Sequence, residues 1–172
     1  IDGTEAAGAG DHQYLWTCPL DTSINSIVRV TDLDPGSVVY DDSPQFIIRG
    51  GFTFVHPVTG DRWLANSFKF IDWTTWGNIG YVYIEYSLDN GQNWDFVNDG
   101  SPIDNSTDTY GWTLPDSISQ LAKVKLTDTT DPDASSTSDA FDMHGQFTAT
   151  NPNGQEKFKV GQSDEATKIT WT

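Results

Sequence analysis

Residues 16–32 read WTCPLDTSINSIVRVTD, and residues 112–128 read WTLPDSISQLAKVKLTD. Trp16, Pro19, Val28, Thr31 and Asp32 return as Trp112, Pro115, Val124, Thr127 and Asp128, each pair 96 residues apart. Beyond this stretch, Phe46, Gly50, Phe52, Thr53 and Pro57 return as Phe141, Gly145, Phe147, Thr148 and Pro152, 95 apart, so the loop in between has lost one residue. Ile71, Trp73 and Thr74 return as Ile169, Trp171 and Thr172, 98 apart. A fixed period with loop-sized slips is the signature of a tandem array. On this reading residues 1–13, small and polar, are a flexible end. Residues 14–50 are the back half of one unit, 51–145 a whole unit, and 146–172 the front half of a third. A half unit cannot bury its own apolar face, so the chain is expected to be a piece of something longer. It opens at Ile1 and not at Met, which adds the expectation of upstream sequence.

Within the whole unit, short runs rich in β-branched and aromatic residues alternate with Gly, Pro, Asn and Asp. This pattern predicts strands at 51–55, 67–73, 81–87, 94–97, 109–112, 121–127 and 140–143. Seven short strands in one small domain predict an all-β, two-sheet sandwich of immunoglobulin or fibronectin III type. Alternation sets the faces: Val82, Ile84 and Tyr86 on one, Tyr81, Tyr83 and Glu85 on the other, and Leu121, Val124 and Leu126 interrupted by Lys123 and Lys125. The junctions Arg49-Gly50-Gly51 and His144-Gly145-Gln146 are short, so neighbouring units should form a fairly stiff rod.

Twenty-five acidic against nine basic residues give a net charge of −16. That charge repels nucleic acid and anionic lipid, so neither is expected as a partner. No run approaches the roughly 18 continuous apolar residues of a membrane span, and no secretory leader opens the chain. The single Cys18 excludes an internal disulfide framework and a multi-cysteine metal site. Its repeat counterpart is Leu114, so it reads as a small buried hydrophobe. The acidic, Thr/Ser/Asn/Asp-rich, Lys-poor composition suits an extracellular surface.

Ser87-Leu88-Asp89-Asn90-Gly91-Gln92-Asn93-Trp94 fits the Asp-box pattern S-x-D-x-G-x-x-W. It predicts a hairpin in which Asn90 and Gly91 take positive φ, Asp89 accepts backbone N–H bonds across the turn, and Trp94 pins the hairpin to the sheet. Ser87, Asp89, Gly91 and Trp94 are therefore structural and not catalytic. The 95-residue period is also twice the length of a propeller blade.

The order Pro57, Gly60, Trp63, Ile71, Trp73, then V-x-I-x-x-S-x-D-x-G-x-x-W over residues 82–94, Tyr110, Trp112, Pro115, V-x-L-T-D over 124–128 and S-D-x-F over 138–141 resembles the immunoglobulin-like repeats of large secreted cell-surface proteins. The yeast cell-wall Kre9/Knh-type module is similar, and so are tandem repeats of bacterial surface proteins; S-layer proteins are built from such arrays. The resemblance covers residues 51–143 and parts of both flanks. It implies a structural role on the cell surface.

Two aspartate groups hold corresponding places: Asp32, Asp34, Asp41 and Asp42 in the first unit, and Asp128, Asp131, Asp133 and Asp139 in the second. Hard oxygen ligands beside a domain boundary are what calcium uses, so structural calcium is the candidate cofactor, although the spacing is no EF-hand. Most tryptophans repeat and belong to cores. Trp76 does not; with Tyr81 or Tyr83 it is the sugar-stacking candidate. Asn105-Ser106-Thr107 is an N-glycosylation sequon in a loop expected to be exposed, and Ser135, Ser136 and Thr137 are candidates for O-linked sugar. No nucleophile, base and orienting group recur together, and no phosphate loop is present. A non-enzymatic structural component of a surface array, self-associating head to tail, is the expectation; a carbohydrate-binding or adhesive module that engages cell-wall polysaccharide is the alternative.

Overall fold

The computed structural model describes residues 12–163 and 165–172, so the flexible end expected at 1–13 lies outside the described residues except for His12 and Gln13. The described chain is all-β, with several sheets, and its helical content is one 3-10 turn at Glu165–Thr167. No helix among these residues is long and apolar enough to cross a membrane.

Two sheets are built from the middle of the chain. One has three antiparallel strands in the order β11-β7-β5, from β5 (Gly51–His56), β7 (Phe68–Trp76) and β11 (Thr109–Thr113). The other follows the path β10-β8-β12-β14-β6. Its strands are β6 (Arg62–Leu64), β8 (Tyr81–Ser87), β10 (Ile103–Asp104), β12 (Ser119–Asp128) and β14 (Phe141–His144). Strands β9 (Asp95–Phe96) and β13 (Ser135–Thr137) add to β8 and β12. The chain leaves β5 of the first sheet, passes the cis peptide His56-Pro57, and joins the second as β6, parallel to β14. Each of the seven runs picked out by composition contains a strand; β6, β10 and β13 are additional.

One core lies between these sheets. Phe52, Ile71, Trp73 and Trp112 enter it from the three-stranded sheet, and Val82, Ile84, Val124, Leu126, Phe141 and Met143 from the other. Rings pack within it, Trp63 on Phe141 of the neighbouring strand at 4.8 Å and Tyr86 against Trp112 of the opposite sheet at 5.1 Å between centroids. Full burial of each aliphatic side chain here contributes about 1.5–3 kcal/mol relative to exposure. Alternation holds along β8, where Val82 and Ile84 are buried. Along β12 it differs from expectation. Ala122, Val124 and Leu126 point inward while Leu121 is exposed, because uninterrupted period-two alternation places Leu121 with Lys123 and Lys125 on the opposite face.

The flanks carry small two-stranded sheets: β1 (Ser23–Ser26) with β4 (Phe46–Ile48), β2 (Arg29–Thr31) with β3 (Tyr40–Asp42), and β15 (Ala149–Asn151) with β16 (Thr170–Trp171). Their registers copy those of the central sheets. Arg29↔Asp42, Val30↔Asp41 and Thr31↔Tyr40 become Lys125↔Thr137, Leu126↔Ser136 and Thr127↔Ser135 when one strand is shifted by 96 and the other by 95. The same shifts turn Ser23↔Ile48 and Ser26↔Phe46 into Ser119↔Met143 and Ala122↔Phe141, with the register irregularity at the same place. Ala149↔Trp171 and Asn151↔Thr170 correspond to Phe54↔Trp73 and His56↔Asp72, again including the irregularity.

Candidate functional site

The first flank is joined to the central sheets by a junction with three separate contacts. Arg49, just past β4, donates from Nε to Asp131 Oδ2 at 2.7 Å and from Nη2 to Asp133 Oδ2 at 3.1 Å. The bond from Arg49 holds the Asp131 carboxyl below the usual range. The guanidinium side chain is 38% exposed, so solvent screens the pair and its stabilisation is modest. Its effect is positional. Asn78 fixes the second contact, its amide donating to Asp21 Oδ1 at 2.5 Å and its backbone N–H to the Leu20 carbonyl at 2.8 Å. Gly50 is the third: a Cβ there would stand 2.7 Å from the Trp76 carbonyl oxygen and 2.8 Å from Ile79 Cδ1. Only glycine allows that approach. The second junction is looser, since a Cβ on Gly145 would make an ordinary 3.7 Å contact with Ile118.

The candidate calcium ligands are spread over other tasks. Asp128 is buried and its Oδ1 accepts from the Thr130 N–H at 2.8 Å and the Thr130 hydroxyl at 2.9 Å, closing the turn after β12. Asp32 does the same after β2, accepting from the Asp34 N–H at 3.0 Å. Asp131 and Asp133 grip Arg49. Asp34 and Asp139 are exposed, each accepting a bond at its backbone carbonyl, from the Ser37 N–H and the Ser138 hydroxyl. Among the described residues no three carboxylate, imidazole or thiol groups converge to hold a metal ion.

The hairpin at residues 87–94 shows why the Asp-box spacing exists. Asp89 Oδ1 accepts from the backbone of Gln92 at 3.0 Å and of Asn93 at 2.9 Å, and Oδ2 from the Asn93 amide at 2.6 Å. Ser87 Oγ accepts from Gly91 N–H at 2.8 Å. Asn90 and Gly91 sit at φ 63° and 88°. The side-chain bond from Asn93, then the backbone N–H of Asn93 and the Ser87 hydroxyl, lower the Asp89 carboxyl to about 2. Half-buried Trp94 lies under Gly91 and receives the Lys125 ammonium at 4.5 Å from its ring centroid, while Lys125 also pairs with Glu85 at 2.8 Å. Asn90 N–H and the Leu88 carbonyl tie the turn to Leu121 and Ser119 of β12. Every carboxylate oxygen of Asp89 is occupied by the turn itself.

The sugar-stacking candidates do not form one platform. Trp76 ends β7 in the three-stranded sheet, whereas Tyr81 and Tyr83 lie on β8 in the other. Trp76 is exposed, its indole N–H donating to Thr53 Oγ1 at 3.2 Å, and Tyr83 packs against Phe96 at 5.9 Å. Asn105 corrects the expectation of an exposed sequon. It is buried, its Oδ1 accepting from Trp73 Nε1 at 2.8 Å and its Nδ2 donating to Thr75 Oγ1 and the Ile79 carbonyl at 3.0 Å each. A glycan on that nitrogen has no room in the folded unit. The sequon pattern carries no signal of burial; the partner Trp73 is 32 residues away.

What the flanks present is an apolar surface at core positions. Leu126 is 0% exposed and its counterpart Val30 is 70%; Ile71 is 0% and Ile169 71%; Phe52 is 7% and Phe147 82%; Trp73 is 3% and Trp171 61%. Cys18, expected to be a buried hydrophobe, is likewise exposed where Leu114 is buried. Strand β4 is paired along one edge, with β1, where the corresponding β14 has β12 on one side and β6 on the other. Unpaired edges and contiguous apolar faces are features of interaction surfaces. Comparison with protein-family models, with curated proteins and with solved structures finds no match.

Proposed function

We propose that the chain is a segment of a structural, extracellular surface array, most concretely an S-layer, made of tandem immunoglobulin-like sandwich units. The observation that carries this reading is the repetition of strand register along the chain. Units that share a register share a fold, and repeated folds joined by a stiff link make a load-bearing rod. Arg49, Gly50 and Asn78 supply such a link. The immunoglobulin type is supported by the strand grouping, β5-β7-β11 facing a sheet in which β6 crosses over to run parallel to the last strand. The net charge of −16 keeps such an array soluble before assembly.

The test is assembly itself. Electron microscopy of the chain extended by further units should show concentration-dependent sheets or filaments with a regular spacing. Tight and selective glycan binding, lost on Trp76→Ala and unaccompanied by assembly, would instead establish the carbohydrate-binding module.

A further inference from the structure

We propose that the outer face of strand β7 binds an extended, neutral polysaccharide chain, at a site independent of how the units assemble. The outward positions of β7 are Phe68, Phe70, Asp72, Thr74 and Trp76, while Ile71 and Trp73 point into the core. Phe68, Phe70 and Trp76 are all exposed. The rings at both ends are held against the sheet. That of Phe68 lies over Gly111 of β11, where a Cβ would stand 2.5 Å from Phe68 Cζ, so only glycine lets the ring settle there. Phe70 stands beside it edge to face, at 84° and 5.2 Å between centroids. At the other end the Trp76 indole N–H donates to Thr53 Oγ1 of β5 at 3.2 Å, which draws the indole across the neighbouring strand. From first ring to last the strip is about 26 Å long. Trp76 thus has its aromatic partners along its own strand and not in Tyr81 or Tyr83.

The groups between the rings select the ligand. Asp72 accepts from the Thr109 hydroxyl at 2.5 Å, Thr74 is exposed opposite Thr53, and His56 stands opposite Asp72. Hydroxyl and carboxylate groups flanked by aromatic faces suit a ligand with flat C–H faces and hydroxyl edges, which is what a pyranose chain presents. Lys69, the one lysine or arginine of β5, β7 and β11, alternates to the inward side of β7. With no such cation on the face and a net charge of −16 on the chain, an anionic polymer is repelled. Two ring clusters separated by polar groups also fall short of the contiguous buried patch of a stable protein interface. The fold does not demand these rings. The 98-residue offset that returns Ile71 and Trp73 as Ile169 and Trp171 turns Phe68 and Phe70 into Ala166 and Lys168, and Leu15 stands 96 residues before Gly111. Core positions recur, whereas this aromatic pair and its glycine do not.

The test titrates the full chain with neutral hexasaccharides of β-1,4-linked glucose, β-1,3-linked glucose, β-1,4-linked mannose and β-1,4-linked N-acetylglucosamine, read by calorimetry and tryptophan fluorescence. At least one should bind, and its disaccharide should bind about tenfold or more weakly, because it cannot reach both ends of the strip. Phe70→Ala and Trp76→Ala should each weaken binding by about tenfold or more with melting unchanged, whereas Trp76→Phe, which keeps a ring, should retain most of it. Leu121→Ala, an exposed apolar position on the other sheet, should have no effect. Binding by none of the four, equal binding by the disaccharide, or binding indifferent to both ring variants overturns the site. Self-association that Phe70→Ala abolishes, without sugar binding, gives the face to a second copy and overturns it too. Assembly without sugar binding leaves the array reading in place and removes this site; sugar binding without assembly does the reverse.

Discussion

Val30 and Leu126 occupy the same place in the same hairpin register, yet one is 70% exposed and the other fully buried. The difference teaches which part of the fold is local. A hairpin register is fixed by turn chemistry and nearby pairing, and Asp32 and Asp128 close equivalent turns with the same bond from the residue two positions on. Burial needs the second layer. In the central unit that layer is present, and strands as far apart as β6 and β14 meet. Among the described residues of the flanks, hairpins form with no second sheet stacked on them.

The comparison breaks most visibly at a shared tryptophan. Trp73→Ala should destabilise the central unit by about 3–5 kcal/mol, since it removes a buried ring and leaves Asn105 Oδ1 without the indole donor. Trp171→Ala, at the counterpart position, should change its thermal melting by no more than about 0.5 kcal/mol. Next in size is the contrast between junctions. Gly50→Ala forces a Cβ onto the Trp76 carbonyl, at a cost of about 1–3 kcal/mol confined to the link. Proteolytic cleavage around residues 20–50 should then accelerate, while Gly145→Ala leaves the cleavage pattern unchanged. The smallest effect is with pH. The folded Asp89 carboxyl, near 2, lies below its ordinary value of 3.8, so its contribution is complete above that value and lost as pH falls toward 2. Asp89→Asn should flatten the acid limb of the central unit's stability curve. Glu156 is also near 2, lowered first by the Asn153 and then the Gly154 backbone N–H, but Glu156→Gln should leave that limb unaltered because its turn lies in the flank.

What could be read from the residues alone follows the same division. The seven strand runs and the Asp-box hairpin were legible because their signals span a few positions, as with the positive φ at Asn90 and Gly91. Strand β6 was not, since Arg62–Leu64 becomes a strand only by pairing with β14, some 80 residues on. Leu121 was grouped with Val124 and Leu126 for its hydrophobicity, although its odd spacing from Val124 puts it on the opposite face of a strand, where it is exposed. Arg49 reaches carboxylates 82 and 84 residues away, a contact that depends on how units stack and not on local pattern. The sequon at Asn105 describes a chemical acceptor, and burial by Trp73 and Ile79 overrides it.

The most direct measurement is hydrogen exchange on the full chain, read at matched amides. Strand β12 should exchange by global opening of the central unit and β2, with the identical register, far faster. Equal protection at Val30 and Leu126 would contradict the division into one covered unit and two open flanks.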